Sequence, residues 1–582
     1  MAKRKKSSRS RAVSPTPGSI ARSARDTLRS YTLGALPIID RVLQRMKLEE
    51  VLQAYLPRER RGSKLAAARG LTLLVKNFLV AREPIYGLGE WAATYAPDVL
   101  GLSPEEVLLL NDDRAGRWMT RLFRADRPSL LLALIGHVMR EFTLALDELH
   151  NDSTTVTFSG THEDAAEEQQ RRGQKTLAIT WGYNKDHRPD LKQLLYILTI
   201  TSDGGVPVHF RAASGNVTDD TTHRDTWELL CQLAGRKDFL YVADCKLATI
   251  ENMNYIAGKG GRFVSVLPRT RSEDAAFRQR VCRGEVIWQH LWDKTDDQGR
   301  LLDRFSVCDA PAATPEGYPL WWFQSTRKAE LDLAARDRRL QRAEQQLRDL
   351  QQKLRSPRSR HRDPGKVQDL VDEILKTCDA VGLLQVQVQQ CPRDTYRQQR
   401  PGRPSKDTAY VKETTMRLDL RYTVDVQAVA RERMTDGLFP LVTNDRHLSA
   451  LDVLHAYKRQ PQVERRFEQL KTDFSVAPVF LKDVGRIEAF LCVYFFALLA
   501  EALLERELRR AMEREQLGSL PLYPEGRDCR RPTTRRLIDV FAPIQRHVLN
   551  RRGEDPVVLL TELAPLHRKL LRLLGLSTTI YR

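Results

Sequence analysis

Between Leu33 and Phe142 apolar residues recur three and four positions apart, in LPIIDRVLQRMKLEEVLQAYL, KLAAARGLTLLVKNFLVA, GLGEWAATY and SLLLALIGHVMREF. That period predicts a helical region over about 30–142, punctuated by Pro37, Pro57 and Pro84. At Leu144 the period changes to two. LALDELHNDSTTVTFSG alternates, is rich in β-branched residues and reads as a strand with Asp152 inside it. Beyond a polar loop from Thr161 to Lys175, LLYILTITS and VPVHFRAAS are two strands joined by Asp203-Gly204-Gly205, a hairpin signal. Thr218 to Leu233 follows as a helix opened by Thr and Asp caps. FLYVADCKL is then a short, nearly continuous apolar strand of the kind buried on both faces, and it ends in Asp244. A helix over Thr249–Ala257 and a strand, RFVSVLP, close this stretch, so 143–268 reads as the first part of an α/β domain.

From 269 to 416 the alternation breaks down, and the segment reads as an insertion. It carries strands of its own (GEVIWQHLW, RFSVCDA, LWWFQS), a charged helix from Lys328 to Leu354 that suits a protruding coiled hairpin, and two basic turns, RSPRSRHRDPGK and RQQRPGRPSK. The second turn reads as an ordinary loop, with entry of its Arg-Pro-Gly-Arg-Pro run into a minor groove as the alternative. The core resumes over 417–482 with two strands, LRYTVDVQAVA and GLFPLVTND, and 483–582 is expected to be helical. Ser449 to Phe474 reads as one amphipathic helix. Tyr457, Gln460, Glu464 and Lys471 share one flank of it, and Val463, Phe467 and Leu470 share a second. A carboxylate ringed by Tyr457, Arg465, Arg466 and Lys471 suits a metal ion and phosphates; the alternative is a solvated helix with ordinary i,i+4 ion pairs.

Composition narrows the partners. Over 582 residues, 94 Lys and Arg face 75 Asp and Glu, a net charge of +19, so a polyanion is the first expectation and nucleic acid the commonest one. Residues 1–29 contain KRKK, RSR and a Ser/Pro-rich patch and read as a basic flexible arm, touching phosphates or simply solvated. Arg58, Arg60, Arg61 and Lys64 form a second basic cluster, in a loop between two helices of 30–142, which reads as solvated or as the DNA-end contact of that helical domain. The 8 cysteines form no CxxC pair, which suits free thiols in a reducing compartment. The longest apolar run, Phe490–Ala500, is shorter than the roughly 20 residues of a membrane span, so a soluble protein without a membrane partner is expected.

One carboxylate on a first strand, a second at the C-terminal end of a buried strand and a third on a later helix form a constellation, because a lone Asp in a strand costs stability unless it is hydrogen-bonded or coordinating. Asp147 and Glu468 are the substitutes if the register slips, and His150 reads as structural. With the helix Tyr457-x2-Gln460-x3-Glu464-x6-Lys471, these residues resemble the DDE transposases of bacterial insertion sequences, in particular the insertion-sequence-four superfamily with its Y-R-E-K helix. LGALPIIDRVLQRMKLEEVLQAYLP and VERRFEQLK, PVFLK and RIEAFL are similar to its subgroup with a helical N-terminal domain. One departure is that Gln460 stands where the pattern has Arg, which loses that phosphate contact or moves it to Arg459 or Arg465.

The resemblance implies an α/β, ribonuclease-H-like mixed sheet with helices on both faces, interrupted by a β-rich and coiled insertion and flanked by helical terminal regions. It implies two Mg²⁺ ions, with Mn²⁺ able to substitute, held by Asp152, Asp244 and Glu464, and DNA contacts from Tyr457, Gln460, Arg465 and Lys471; Lys246, two residues after Asp244 and on the same side, reads either as a phosphate contact or as a solvated lysine. The implied partners are double-stranded DNA, as terminal inverted repeats and as target, and a second copy in a synaptic homodimer. The implied setting is the bacterial cytoplasm, on the nucleoid. A ribonuclease-H-like nuclease without strand transfer and a catalytically decayed DNA-binding protein are the alternatives.

Overall fold

The computed structural model describes residues 27–582 apart from 60–61, 161, 297, 309–311, 357–358, 475–480 and 552–553. The arm up to residue 26, Arg60 and Arg61 of the loop cluster, and the Pro478–Phe480 part of PVFLK lie outside the described residues. The described residues form two compact units, one from 27–144, 157–179 and 469–582, the other from 145–156 and 180–468.

The first unit is built on the helix Val484–Arg514, against which Ala67–Val80 and Asp112–Arg124 pack. Phe78 stacks on Tyr494 with ring centroids 4.4 Å apart. Gly485 lets the neighbouring helix come so close that a Cβ there would lie 2.9 Å from the Phe123 ring. The apolar run judged too short for a membrane span thus belongs to a 31-residue helix that is long and apolar enough to cross one, but 94% of its most apolar window is buried within the protein. Surrounding side chains, not lipid, cover it, as in the core of a helical domain.

Two expectations are corrected in this unit. Thr27–Thr32 is a strand, so the end of the basic arm is ordered. It pairs antiparallel with Gln545–Asn550, which pairs in turn with Val557–Leu560, where continuous helix was expected. The three-stranded sheet supplies hydrogen bonds that a helix of this sequence would otherwise make internally.

The second unit carries a mixed sheet of ten strands among the described residues. Its order is Pro207–Ser214, Lys192–Thr201, Glu148–Phe158, Leu240–Ala243, Arg262–Val266, Leu438–Thr443, Pro319–Ser325, Leu301–Cys308 and Trp288–Thr295, with the short Ala312–Ala313 off this path. Glu148–Phe158, Leu240–Ala243 and Arg262–Val266 run parallel; Leu438–Thr443 and the three strands beyond it pair antiparallel. All ten residues of Lys192–Thr201 are buried, and Gly204 and Gly205 take positive φ (80° and 64°) in the turn that follows, as the hairpin signal requires.

The strands assigned to a separate insertion extend this same sheet, because Pro319–Ser325 pairs with Leu438–Thr443. What projects from it is a helical pair, Thr326–Arg355 and Pro364–Thr377, and a two-stranded ribbon, Leu384–Gln398 with Tyr410–Val424. LRYTVDVQAVA is accordingly no core strand. Its first half ends the ribbon, and Val426–Arg433 is a helix capped by Asp425, whose carboxylate accepts from Ala428 N at 2.9 Å.

Candidate active site

Register brings the first two carboxylates together. Glu148, Leu149, His150 and Asn151 pair in parallel with Leu240, Tyr241, Val242 and Ala243, so one further step along both strands sets Asp152 beside Asp244. Adjacent strands lie about 4.8 Å apart, and a parallel pair presents such neighbours to the same side. Both residues sit where Leu240–Ala243 ends, the end at which parallel sheets expose loops and ligands. Asp152 is only 18% exposed, and burial, with repulsion from Asp244 opposing the pull of Lys185, lifts its carboxyl from 3.8 to about 6. Asp244 is likewise raised, chiefly by burial, although its Oδ1 accepts from Lys246 N at 3.0 Å.

Two partners have no counterpart in the sequence reading. Lys185 Nζ lies 3.4 Å from Asp152 Oδ1 and 2.9 Å from Asp219 Oδ2, and it donates to Ser153 Oγ at 2.7 Å. Ser153 Oγ in turn donates to Asp219 Oδ1 at 2.8 Å. Asp219 had passed as a helix cap, yet its side chain faces Ser153 and Lys185 rather than the helix that follows. The sequence holds only a weak signal for this, a second carboxylate in Thr218-Asp219-Asp220 where one suffices for capping.

The third carboxylate arrives on a broken helix. Ala450–Lys458 ends at Arg459, and Pro461 opens a second helix, Pro461–Glu468, followed by a π-helical turn over Gln469–Asp473. Proline has no N–H to continue the ladder and is preferred at a first helical position, so KRQPQVE breaks the single helix that the apolar period suggested. The break is pinned to the first strand. Gln460 amide nitrogen donates to Asn151 O at 3.0 Å while its oxygen lies 3.1 Å from His150 Nδ1, and Arg459 and His150 both bind Glu148.

The consequences differ from residue to residue. Gln460, expected to meet phosphate, is 7% exposed and engaged inside the unit. Arg466, expected beside the carboxylate, is 3% exposed and donates to the carbonyls of Gly204 and Gly205 in the hairpin turn. Glu464 and Arg465 are exposed on Pro461–Glu468, and Lys246 is exposed beside Asp244. Lys471 belongs to the first unit. Of the substitutes, Asp147 is ion-paired with Arg236 and Glu468 faces solvent, while His150 is fully buried between Glu148 and Gln460.

Tyr457 links the set. It packs against the cluster formed by Val453, Leu454, Phe439 and the central strands, and burial, then the negative charges of Asp244, Cys245, Glu464 and Asp152, hold its phenol well above the usual 10. It therefore stays protonated and able to donate. As a donor set for a divalent cation, Asp152, Asp244 and Glu464 supply hard carboxylate oxygens, and the raised carboxyls mark negative charge that a cation would relieve. Among the described residues no three His, Cys, Asp or Glu side chains are drawn tightly enough to ring an ion. The chemistry of the donors fits, and Lys185 provides positive charge beside Asp152 and Asp219.

Residues 147–500 match the family profile described as Transposase DDE domain. Among solved structures the chain is similar to the piggyBac transposase synaptic complex with hairpin DNA, at 9% identity over 83% of each chain and a TM-score of 0.23, a likeness too slight to carry weight. No curated protein matches the chain.

Proposed function

From the premise that the chain belongs to the DDE transposase family, we propose that it cuts DNA at the ends of an insertion sequence and joins the freed 3′ hydroxyls to target DNA. The observation that best supports this is the parallel register that sets Asp152 beside Asp244 at the end of Leu240–Ala243. In this reading the fold is ribonuclease-H-like and the work is done in the bacterial cytoplasm, by a dimer that pairs two element ends. Asp152, Asp244 and Glu464 would hold two Mg²⁺ ions, with Mn²⁺ able to substitute. Such a pair, when bound, makes water nucleophilic at neutral pH and stabilises the leaving 3′ oxygen.

The chain's own residues bind and orient the DNA. Tyr457 donates its phenolic proton to a phosphate oxygen near the carboxylates, and Lys246 and Arg465, both exposed, neutralise phosphates on either side. Lys471 is assigned the same task. Gln460 braces the Glu464 helix on the first strand in place of the arginine of the resembling pattern. Lys185 balances Asp152 and Asp219 and keeps the unloaded pocket from expanding under its own charge.

The test is incubation of the purified chain with Mg²⁺ and DNA carrying the sequences that flank its own coding region. Joined products support the proposal. Cleavage without joining favours a nuclease, and binding without cleavage favours a decayed protein. Asp244→Ala is expected to abolish cleavage while end binding stays within a few-fold; undiminished cleavage by that variant removes the assignment.

A further inference from the structure

The ribbon of Leu384–Gln398 and Tyr410–Val424 is longer than its core needs. Fifteen consecutive cross-strand pairs run from Leu384 with Val424 to Gln398 with Tyr410. Only the proximal half is packed. Leu384, Leu418 and Leu420, with Val386, Val388 and Tyr422, pack onto Leu347, Leu350, Val367 and Val371 of the two projecting helices. Beyond Cys391 and Arg417 the same face carries Met416, Tyr396 and Tyr410 in the open, 53%, 66% and 49% exposed. Eight pairs at about 3.3 Å each make a free arm roughly 25 Å long.

Its charge says what could cover it. From Cys391 to Arg417 there are seven Lys and Arg against three Asp and Glu. Lys412 and Asp394 pair across the strands at 2.7 Å, whereas Arg397, Arg400 and Arg403 stand exposed towards the tip. At the neck, Arg393 donates to Arg355 O and Arg417 to Ser359 O, which gathers guanidinium groups beside the turn between the helices. Desolvation, followed by the like charges of Arg362 and Arg393, holds Arg417 below the usual guanidinium range. A second copy of the chain would bring the same positive charge to this face, but a polyanion would neutralise it.

We propose that the distal ribbon, Cys391–Arg417, is a DNA-binding arm that lies in the major groove of duplex DNA. A two-stranded ribbon is the β element that the roughly 12 Å major groove admits. Flexible guanidinium groups along its edges reach both phosphate walls, and Tyr396 and Tyr410 present flat, amphipathic faces to the groove floor. The arm rests on the transposase reading, since it gives the DNA of that reading a second point of attachment away from the carboxylates. Of RQQRPGRPSK, Arg397 and Gln398 end the first strand and the rest is the exposed loop at the tip of the ribbon, as the ordinary-loop expectation had it.

The probe is a duplex of about 40 base pairs of arbitrary sequence, with binding to the full chain measured by fluorescence anisotropy over a salt series. The first variant is Arg397→Ser/Arg400→Ser/Arg403→Ser; the second replaces Cys391–Arg417 by Asn-Gly, which leaves the packed half of the ribbon intact. Each lost phosphate contact lowers the slope of log K against log salt by about 0.9, so the triple variant is expected to lose roughly two to three in slope and at least tenfold in affinity. Dimethyl sulfate should show protection of guanine N7, a major-groove atom, over about seven base pairs with the wild type and none with either variant. Affinity within twofold of wild type with an unchanged slope, or unchanged guanine protection, overturns the arm while leaving the transposase reading standing. A shortened chain that turns from dimer to monomer with DNA affinity unchanged overturns it in favour of a second copy as occupant. A wild-type chain that does not bind the duplex at all sinks the arm and the transposase reading together.

Discussion

The contact that joins the Glu464 helix to the strand Glu148–Phe158 makes a prediction with a definite size. Burial alone would raise the Glu148 carboxyl, but hydrogen bonds from His150 and Arg459, together with their charges, hold it at about 2 against the ordinary 4.5. Its side chain is 13% exposed, so little of this is screened by solvent. A carboxylate whose folded pKa is depressed contributes stability that is full above the unfolded pKa and is lost as pH falls towards the folded one. A difference of about 2.5 pH units corresponds to roughly 3 kcal/mol at pH 7, about a 300-fold change in an opening equilibrium. Glu148→Gln keeps the shape and resembles the protonated carboxyl. Hydrogen exchange at the amides of Glu148–Phe158 and Pro461–Glu468 should therefore speed up about 300-fold at pH 7, falling to about tenfold at pH 3, where the unfolded-state carboxyl is already protonated and the folded one, at about 2, is only beginning to take up its proton. An effect equally large at both pH values would mean that packing rather than charge carries it. Less than about threefold at pH 7 would mean that the contact does not hold the helix break at all.

Two further outcomes rest on separate features. Because burial, and repulsion from Asp244 against the pull of Lys185, lift Asp152 to about 6, Mn²⁺ affinity measured by calorimetry should fall about tenfold per pH unit below 6 and level off above it. Lys185→Met should move that bend to higher pH, since it removes the charge that lowers the carboxyl; an unmoved bend would detach Lys185 from the site. Gly437 has φ +78°, and a Cβ there would lie 2.4 Å from Ser325 O, whereas Gly235 has φ +67° with nothing within 4 Å. Gly235→Ala should cost only the left-handed strain of about 1–2 kcal/mol, while Gly437→Ala should shift thermal unfolding clearly further; equal shifts would show that the Ser325 carbonyl yields freely.

Much of the second unit was legible in one dimension. The apolar strand before Asp244, the Gly-Gly hairpin and the helix between them are set by contacts among near neighbours, and near neighbours are what periodicity reads. Even the break at Pro461 was written in KRQPQVE, although the stronger apolar period masked it. What could not be read was partnership. GEVIWQHLW, RFSVCDA and LWWFQS announce strands, but nothing in a period of two says whether they make a sheet of their own or, as they do, continue the central one through Leu438–Thr443.

The same division runs through the site. Sequence alone determined which residue types were available, a carboxylate inside one strand and another at the end of a later buried one, along with the basic surplus that points to DNA. Tertiary structure decided that Asp152 and Asp244 stand side by side, that Gln460 and Arg466 turn inward, and that Lys185 and Asp219 join the set. Strand register and burial are properties of pairs far apart along the chain, and the free energy that fixes them belongs to the assembled sheet and to no segment taken singly.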